Sequence, residues 1–121
     1  MRSAARVPWR FLAAGIGLAL AVTAAAMLTR SYAAHLRIEA VEAQALSEHG
    51  GEPVEALVAY LRSDRHTLED KNRAIWRLGQ LGDARAIPIL EELRTGEPCD
   101  HARFVCQREL EKALAKLTSA R

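Results

Sequence analysis

The sequence predicts an all-α fold, in which a short α-solenoid of antiparallel helix pairs and a C-terminal capping helix follow one transmembrane helix. Several short segments after residue 30 carry apolar residues at helical spacing. Aromatic residues make up only 5% of the chain and β-branched runs are few, which disfavours strands. An uncharged apolar run precedes these segments and is long enough to cross a bilayer.

The apolar run extends from Phe11 to Thr29 and holds no charged residue in 19 positions. A helix of about 20 apolar residues spans the roughly 30 Å of a bilayer core. Trp9 suits the interface, and the side chains of Arg10 and Arg30 can extend outward into water. The alternative is a cleaved signal peptide, whose apolar core of about 7–15 residues is usually shorter than this run.

The flanking charges predict the orientation of this segment. Three arginines precede the run, against Arg30 and Arg37 after it, so the N-terminus is expected in the cytoplasm. We expect residues 1–30 to form a cytoplasmic stub and transmembrane signal-anchor, and residues 31–121 to form the helical repeat domain. The predicted location is the inner (plasma) membrane, crossed once, with the domain in the periplasm or outside the cell.

The charge balance argues against nucleic acid as a partner. Four of the 17 basic residues lie in the first 30 positions, which leaves 13 basic against 15 acidic residues, a net charge of −2, in the domain. A domain that binds phosphate backbones normally carries a basic face. The basic isoelectric point therefore belongs to the N-terminal segment.

The first two helices of the domain are predicted from their stripes and their ends. Residues 31–48 place Leu36, Val41, Ala45 and Leu46 at mostly helical spacing, and two glycines then stop the helix. Pro53 opens the next helix as a first-turn residue. That helix runs to residue 62 with an inward stripe of valine and leucine side chains.

The remaining helices are also predicted from the residues at their ends and from their apolar stripes. Thr67 and Asp70 resemble a capping box that begins a helix ending near Leu81, and Gly79 lets a neighbouring helix approach. Residues 84–94 form a helix with Pro88 about one turn inside, where it should bend the helix. The last helix, near residues 101–118, turns one face inward, formed by Cys106, Leu110, Ala113, Leu114 and Leu117.

Two segments of the domain repeat one pattern. Residues 51–64 and 82–96 each run from a turn through valine or isoleucine and leucine to a Leu-Arg-Ser/Thr close, about 32 residues apart. Each segment is preceded by another helix. The chain therefore divides into two helix pairs, and the final helix covers the open end.

Residues 73–93, RAIWRLGQLGDARAIPILEEL, resemble the HEAT-like repeat of the phycobilisome-lyase type. The resemblance implies an α-solenoid with a protein-binding role, and it does not imply lyase chemistry. The segment upstream is a degenerate copy that lacks the Leu-Gly-x-Leu-Gly corner. The matching positions are Ala74, Leu78, Gly79, Leu81, Gly82, Asp83, Ala86, Ile87, Pro88 and Leu90.

Cys99 and Cys106, the two cysteines of the chain, form a candidate disulfide. On one continuous helix they would lie roughly 10 Å apart, too far for a bond, so Cys99 must turn back from a loop. The alternatives are a buried Cys106 with a free Cys99, or a metal site that includes His101. The metal alternative lacks a fourth ligand and the usual zinc spacing, so we predict no metal.

The sequence predicts no enzyme, no catalytic residues, no cofactor and no small-molecule substrate, because no Ser/His/Asp set or carboxylate pair stands out. In HEAT-like arrays the second helix of each pair usually lines the concave surface, so the resemblance suggests the partner-contact residues. A solvated charged face is the alternative. These candidate contacts are Glu55, Tyr60, Arg62, Arg85, Glu91, Glu92 and Arg94.

We expect a membrane-anchored adaptor or scaffold that binds another protein. A second hypothesis is a small structural or assembly subunit of a membrane complex, bound mainly through its transmembrane helix. A secreted enzyme accessory or lyase is a third hypothesis, which rests on the family name alone.

Overall fold

The computed structural model describes residues 8–119, so most of the predicted cytoplasmic stub, including Arg2 and Arg6, lies outside the described residues. The regular secondary structure of residues 8–119 is all helix, with no strand, which confirms the all-α prediction. The helices are α1 (Trp9–His49), α2 (Pro53–Arg62), α3 (Leu68–Leu81), α4 (Ile87–Glu92) and α5 (Gln107–Ser119), with a 3₁₀ turn at Ala84–Ala86 before α4.

The chain divides into two units, Met1–His35 and Leu36–Arg121. In the described part of the first unit every side chain of α1 is exposed, including Trp9 at 76%. By length and composition α1 is able to cross a membrane, although a signal sequence or the core helix of a soluble protein passes the same test. The hydroxyls of Thr23 and Thr29 donate to backbone carbonyls four residues earlier, so the helix itself satisfies these groups.

The second unit is built on one cluster of buried apolar side chains drawn from the C-terminal part of α1 and from every later helix. The end of α1 buries Val41 and Ala45. It is also joined to α3 by an ion pair between Glu42 and Arg77. Leu36, expected to face inward, is 46% exposed, because the buried stripe of α1 begins only at Val41.

Both ends of α3 form as their residues predict. The Thr67 hydroxyl oxygen accepts the Asp70 backbone N–H at 3.1 Å and donates to the Asp70 carboxylate at 2.7 Å. Gly82 ends the helix with a φ of +71°, a conformation that favours glycine. The predicted interior residues Ala74, Ile75 and Leu78 are fully buried.

The segment after α3 differs from the prediction of one helix bent at Pro88. It forms the 3₁₀ turn first, because the Asp83 carboxylate accepts the Arg85 backbone N–H at 2.9 Å and holds a tight turn. Pro88 then lies in the first turn of α4. Proline is suited to that position, since its missing N–H would have no partner there, and so it begins the helix rather than bending it.

The last helix begins at Gln107, several residues later than predicted, although its predicted inward face is confirmed. The backbone carbonyl of Asp100 accepts the N–H groups of Arg103 and Phe104 at 3.2 Å, which closes a turn before the helix. The side chain of Asn72 accepts the Cys106 N–H at 2.7 Å, and this contact ends the irregular segment.

The most extensive contact of α3 is with α5, followed by its contact with α2. Gly79 explains the closeness of α5. A Cβ atom at position 79 would lie 3.0 Å from the Cα of Ala113 and 3.1 Å from its Cβ. The predicted role of Gly79 is therefore confirmed, and the C-terminal helix packs along α3 as well as closing the end of the array.

Candidate functional site

The candidate partner-contact residues lie on α2, on the 3₁₀ turn and on the segment around α4. We call the surface formed by these three elements the second-helix face. Six of the seven are exposed. Tyr60 is the exception, with 0% of its surface exposed, so it belongs to the core and its place on the contact surface was wrongly predicted. Its position on the inner side of α2, beside Leu57 and Leu61, explains the burial.

Arg85 is the centre of the largest charge cluster on this face. Its guanidinium donates to both carboxylate oxygens of Asp83, to Glu52 at 2.6 Å and to Glu55 at 3.3 Å. The hydrogen bonds that Arg85 donates to Asp83 and to Glu52 raise the pKa of Arg85, and those that Asp83 accepts from Arg85 lower the pKa of Asp83. The cluster joins the start of α2 to the 3₁₀ turn across the surface.

Arg62 at the end of α2 and Glu92 at the end of α4 form a second connection across this face. The Arg62 Nη2 and Glu92 Oε1 atoms are 3.6 Å apart, and both side chains are 59% exposed. An exposed pair at this distance contributes little to stability. Both groups therefore remain accessible to a partner.

Arg94 joins the end of the α4 segment to α5. Its guanidinium makes two parallel hydrogen bonds to Glu111, of 2.8 and 2.9 Å, and a third of 3.2 Å to Glu91. This two-point geometry is the stronger form of an Arg–carboxylate pair. It lowers the pKa of Glu111 and raises that of Arg94.

A shallow groove runs along the second-helix face between these charges. Its floor is apolar and its rim carries charges of both signs. The side chains that line it are Val54, Glu55, Val58, Ala59, Arg62 and Arg85.

A further groove, between α3 and α5, was not predicted. It exists because Gly79 and Ala113 have small side chains, and Trp76 borders it. The Lys116 ammonium lies 5.9 Å from the centre of the Trp76 ring. The position of Trp76 at the edge of its apolar stripe was the only sign of this groove in the sequence.

Two histidines that α2 separates in the sequence, His49 and His66, both lie close to Glu48 at the corner where α1 ends. One Glu48 carboxylate oxygen accepts from Gln44 at 2.8 Å, and the other lies 3.1 Å from His66 Nε2 and 3.8 Å from His49 Nε2. The Gln44 hydrogen bond, followed by the charge of His66, lowers the pKa of Glu48. The His66 ring stacks on Tyr60, with ring centres 3.5 Å apart, and only 6% of the His66 side chain is exposed. Sequence reasoning missed this cluster because α2 separates its members.

The two cysteines lie close together at the start of α5, as the disulfide hypothesis requires. Their sulfur atoms are 3.6 Å apart and unbonded, with Cys99 exposed and Cys106 buried. The side chain of His101 brings a third ligand atom within 4.8 Å of both sulfurs. The arrangement is compatible with either a disulfide or a three-ligand metal site.

Residues 71–94 match the family model of the PBS lyase HEAT-like repeat. The matched span covers about one fifth of the chain and includes most of α3, the 3₁₀ turn and α4. No curated protein and no solved structure matches the chain. The match confirms the resemblance drawn from the corner residues of this segment.

The Arg94–Glu111 pair predicts a pH dependence of stability. Because Arg94 lowers the Glu111 pKa below its usual 4.5, the pair stabilises the fold above that value. This contribution is lost as the pH falls through the lowered pKa. We expect Glu111→Gln to lower the free energy of unfolding at neutral pH, and the difference from the unsubstituted chain to vanish in acid, below the lowered pKa of Glu111.

Urea unfolding of both proteins at neutral pH and in acid measures the effect. Glu109→Gln is the matched control, because the ion pair of Glu109 with Lys112 lies inside α5. A difference between the Glu111 variant and the unsubstituted chain that persists undiminished in acid would contradict the assignment.

Proposed function

We propose that this chain, whose residues 71–94 match a HEAT-like repeat, is a membrane-anchored, non-enzymatic adaptor or scaffold that binds another protein through its second-helix face. The observation that supports this most is the groove on that face, which has an apolar floor between exposed charges. Protein interfaces commonly combine an apolar centre with a polar rim. Helical repeats use their regular surface in the same way.

The mixed charge of the face supports a protein partner. Acidic and basic side chains alternate across it, and they already pair with one another. Such a surface offers complementary contacts to a partner that also carries both signs, and these contacts give specificity and faster association. The exposed Arg62–Glu92 pair is the most readily exchanged, because its separation is 3.6 Å and both side chains are 59% exposed.

The absence of catalysis is part of the proposal. In the second-helix face, the basic groups are guanidiniums held by carboxylates, and no histidine or cysteine lines the groove. The acidic side chain that lines the groove, Glu55, is paired with Arg85, so the groove offers neither an unpaired nucleophile nor an unpaired general base. A binding role needs neither.

The proposed anchor is α1, with the N-terminus in the cytoplasm and the repeat domain in the periplasm or outside the cell. Its support is the exposed apolar surface of residues 9–35 together with the excess of arginine before the apolar run. The same exposed surface favours a second candidate function, that of a small subunit whose α1 packs against other transmembrane helices of a complex.

The binding proposal is tested by placing a photo-crosslinking amino acid at Val58 in the full-length protein in native membranes. We expect one protein to be captured, and expect Arg62→Glu to reduce its capture about tenfold, the equivalent of about 1.4 kcal/mol. The double variant Arg62→Glu with Glu92→Arg restores the internal pair but inverts the surface, so its capture should also be reduced. Lys112→Glu on α5 is the control and should leave capture unchanged.

Replacing the residues from Phe11 to Thr29 with an unrelated apolar span separates the two candidate functions. If the protein is an adaptor, it should keep its partner after this replacement. Loss of the partner in this variant, with no effect of the surface substitutions, would instead support the membrane-subunit function.

The orientation is tested by fusing a reporter that is active only outside the cytoplasm after Arg121. We expect activity, since the arginines before the apolar run retain the N-terminus inside. Activity of a reporter that works only in the cytoplasm, fused at the same position, would reverse the proposed topology.

A further inference from the structure

We infer that Cys99 and Cys106 are an oxidative modification site that closes as an intramolecular disulfide, with Cys99 as the thiol that enters the exchange. The inference concerns the turn at the start of α5 and does not depend on what the second-helix face binds.

The two sulfurs are placed for this bond by contacts that fix one of them and leave the other adjustable. Cys106 is held because its backbone N–H donates to Asn72 at 2.7 Å and because its side chain is buried. Cys99 lies in the irregular segment between α4 and α5, next to Pro98 and after Gly96. The sulfurs are 3.6 Å apart, and a bond requires about 2.05 Å. A rotation of the Cys99 side chain with a small shift of its loop closes that gap without moving a helix.

The surroundings of the two thiols differ in a way that sets the order of the reaction. The Arg108 backbone N–H, in the first turn of α5, donates to the Cys99 sulfur at 3.4 Å. This hydrogen bond, followed by that of the Cys106 thiol, lowers the pKa of Cys99. Cys99 is also exposed, whereas Cys106 is 8% exposed. Because the exposed thiol reaches an oxidant before the buried one does, Cys99 attacks first.

The chemistry requires an oxidant, which we take to be a disulfide such as glutathione disulfide or that of a thiol–disulfide oxidoreductase. The Cys99 thiolate attacks one sulfur of that disulfide, and the first donor thiolate leaves. Cys106 then loses its proton and attacks the Cys99 sulfur, which releases the second donor thiolate. The two thiolates that leave take up the two protons. Two protein thiols are thereby oxidised to one disulfide, and the donor disulfide is reduced to two thiols.

The bond reinforces a turn that is already tied to the helices. The Gln107 side chain accepts the Thr95 backbone N–H at 2.9 Å and donates to the Leu93 carbonyl at 3.2 Å. A Cys99–Cys106 bond would link the remaining residues of this segment, 99–106, to the position next to Gln107. The expected result is a loop fixed at both ends to the start of α5.

The test uses the reduced full-length protein in detergent, incubated with glutathione disulfide and then alkylated for intact-mass and peptide analysis. We expect a monomer that has lost two hydrogens, with residues 99 and 106 linked. In Cys106→Ala the glutathione adduct should accumulate on Cys99. In Cys99→Ser the adduct should form on the order of tenfold more slowly, because Cys106 is buried.

The His101→Ala variant and a parallel experiment with added zinc distinguish the disulfide from the metal site. The disulfide should form in His101→Ala at an unchanged rate. Protection of both thiols from alkylation by zinc, lost in His101→Ala and accompanied by no linked peptide after oxidation, would overturn the inference in favour of a metal site. Free, alkylated cysteines or disulfide-linked dimers in the unsubstituted protein would also overturn it, and that outcome leaves the partner experiments at Val58 unaffected.

Discussion

The close approach of α3 and α5 at Gly79 is the constraint on which the rest of the domain depends. A side chain at this position would meet the backbone of Ala113 at 3.0 Å, so the two helices can lie this close only because glycine is present. Their contact is the most extensive in the structure, and α2 packs against the same α3. One repeat cannot bury its apolar stripes alone, and α5 supplies the missing neighbour. The helix α4, which carries part of the second-helix face, also contacts α5.

The charged groups on the second-helix face serve the fold and the proposed binding at the same time. Arg85 connects the 3₁₀ turn to α2 and Arg94 connects the α4 segment to α5, so each fixes the position of an element that carries candidate contacts. The Arg62–Glu92 pair is the most exposed of these connections. The pairs made by Arg85 and Arg94 hold their elements in place before a partner arrives, which would reduce the entropy lost on binding.

The features that depend on neighbouring residues could be predicted from the sequence alone. The Thr67 cap, the Gly82 stop and the bounds of α2 and α3 follow from contacts within a few positions. The features it did not reveal depend on contacts between distant segments. Asn72 helps to hold the loop that delays α5, and the burial of Tyr60 depends on which side of α2 meets the core. The same limit applies to the candidate site, since residue types on the second helices suggested its charges, but their pairing depends on how the repeats stack.

The central claim is that the repeat is completed by α5 through the contact at Gly79. The most direct test is hydrogen–deuterium exchange of full-length Gly79→Val in detergent across a range of denaturant, with Gln80→Val as the control for a β-branched residue at an exposed position of the same helix. Overpacking of this kind costs about 1–3 kcal/mol. We expect α2, α3 and α5 to lose protection together at lower denaturant in Gly79→Val, with little change in Gln80→Val. Protection of α5 that is unchanged while α3 alone opens would contradict it.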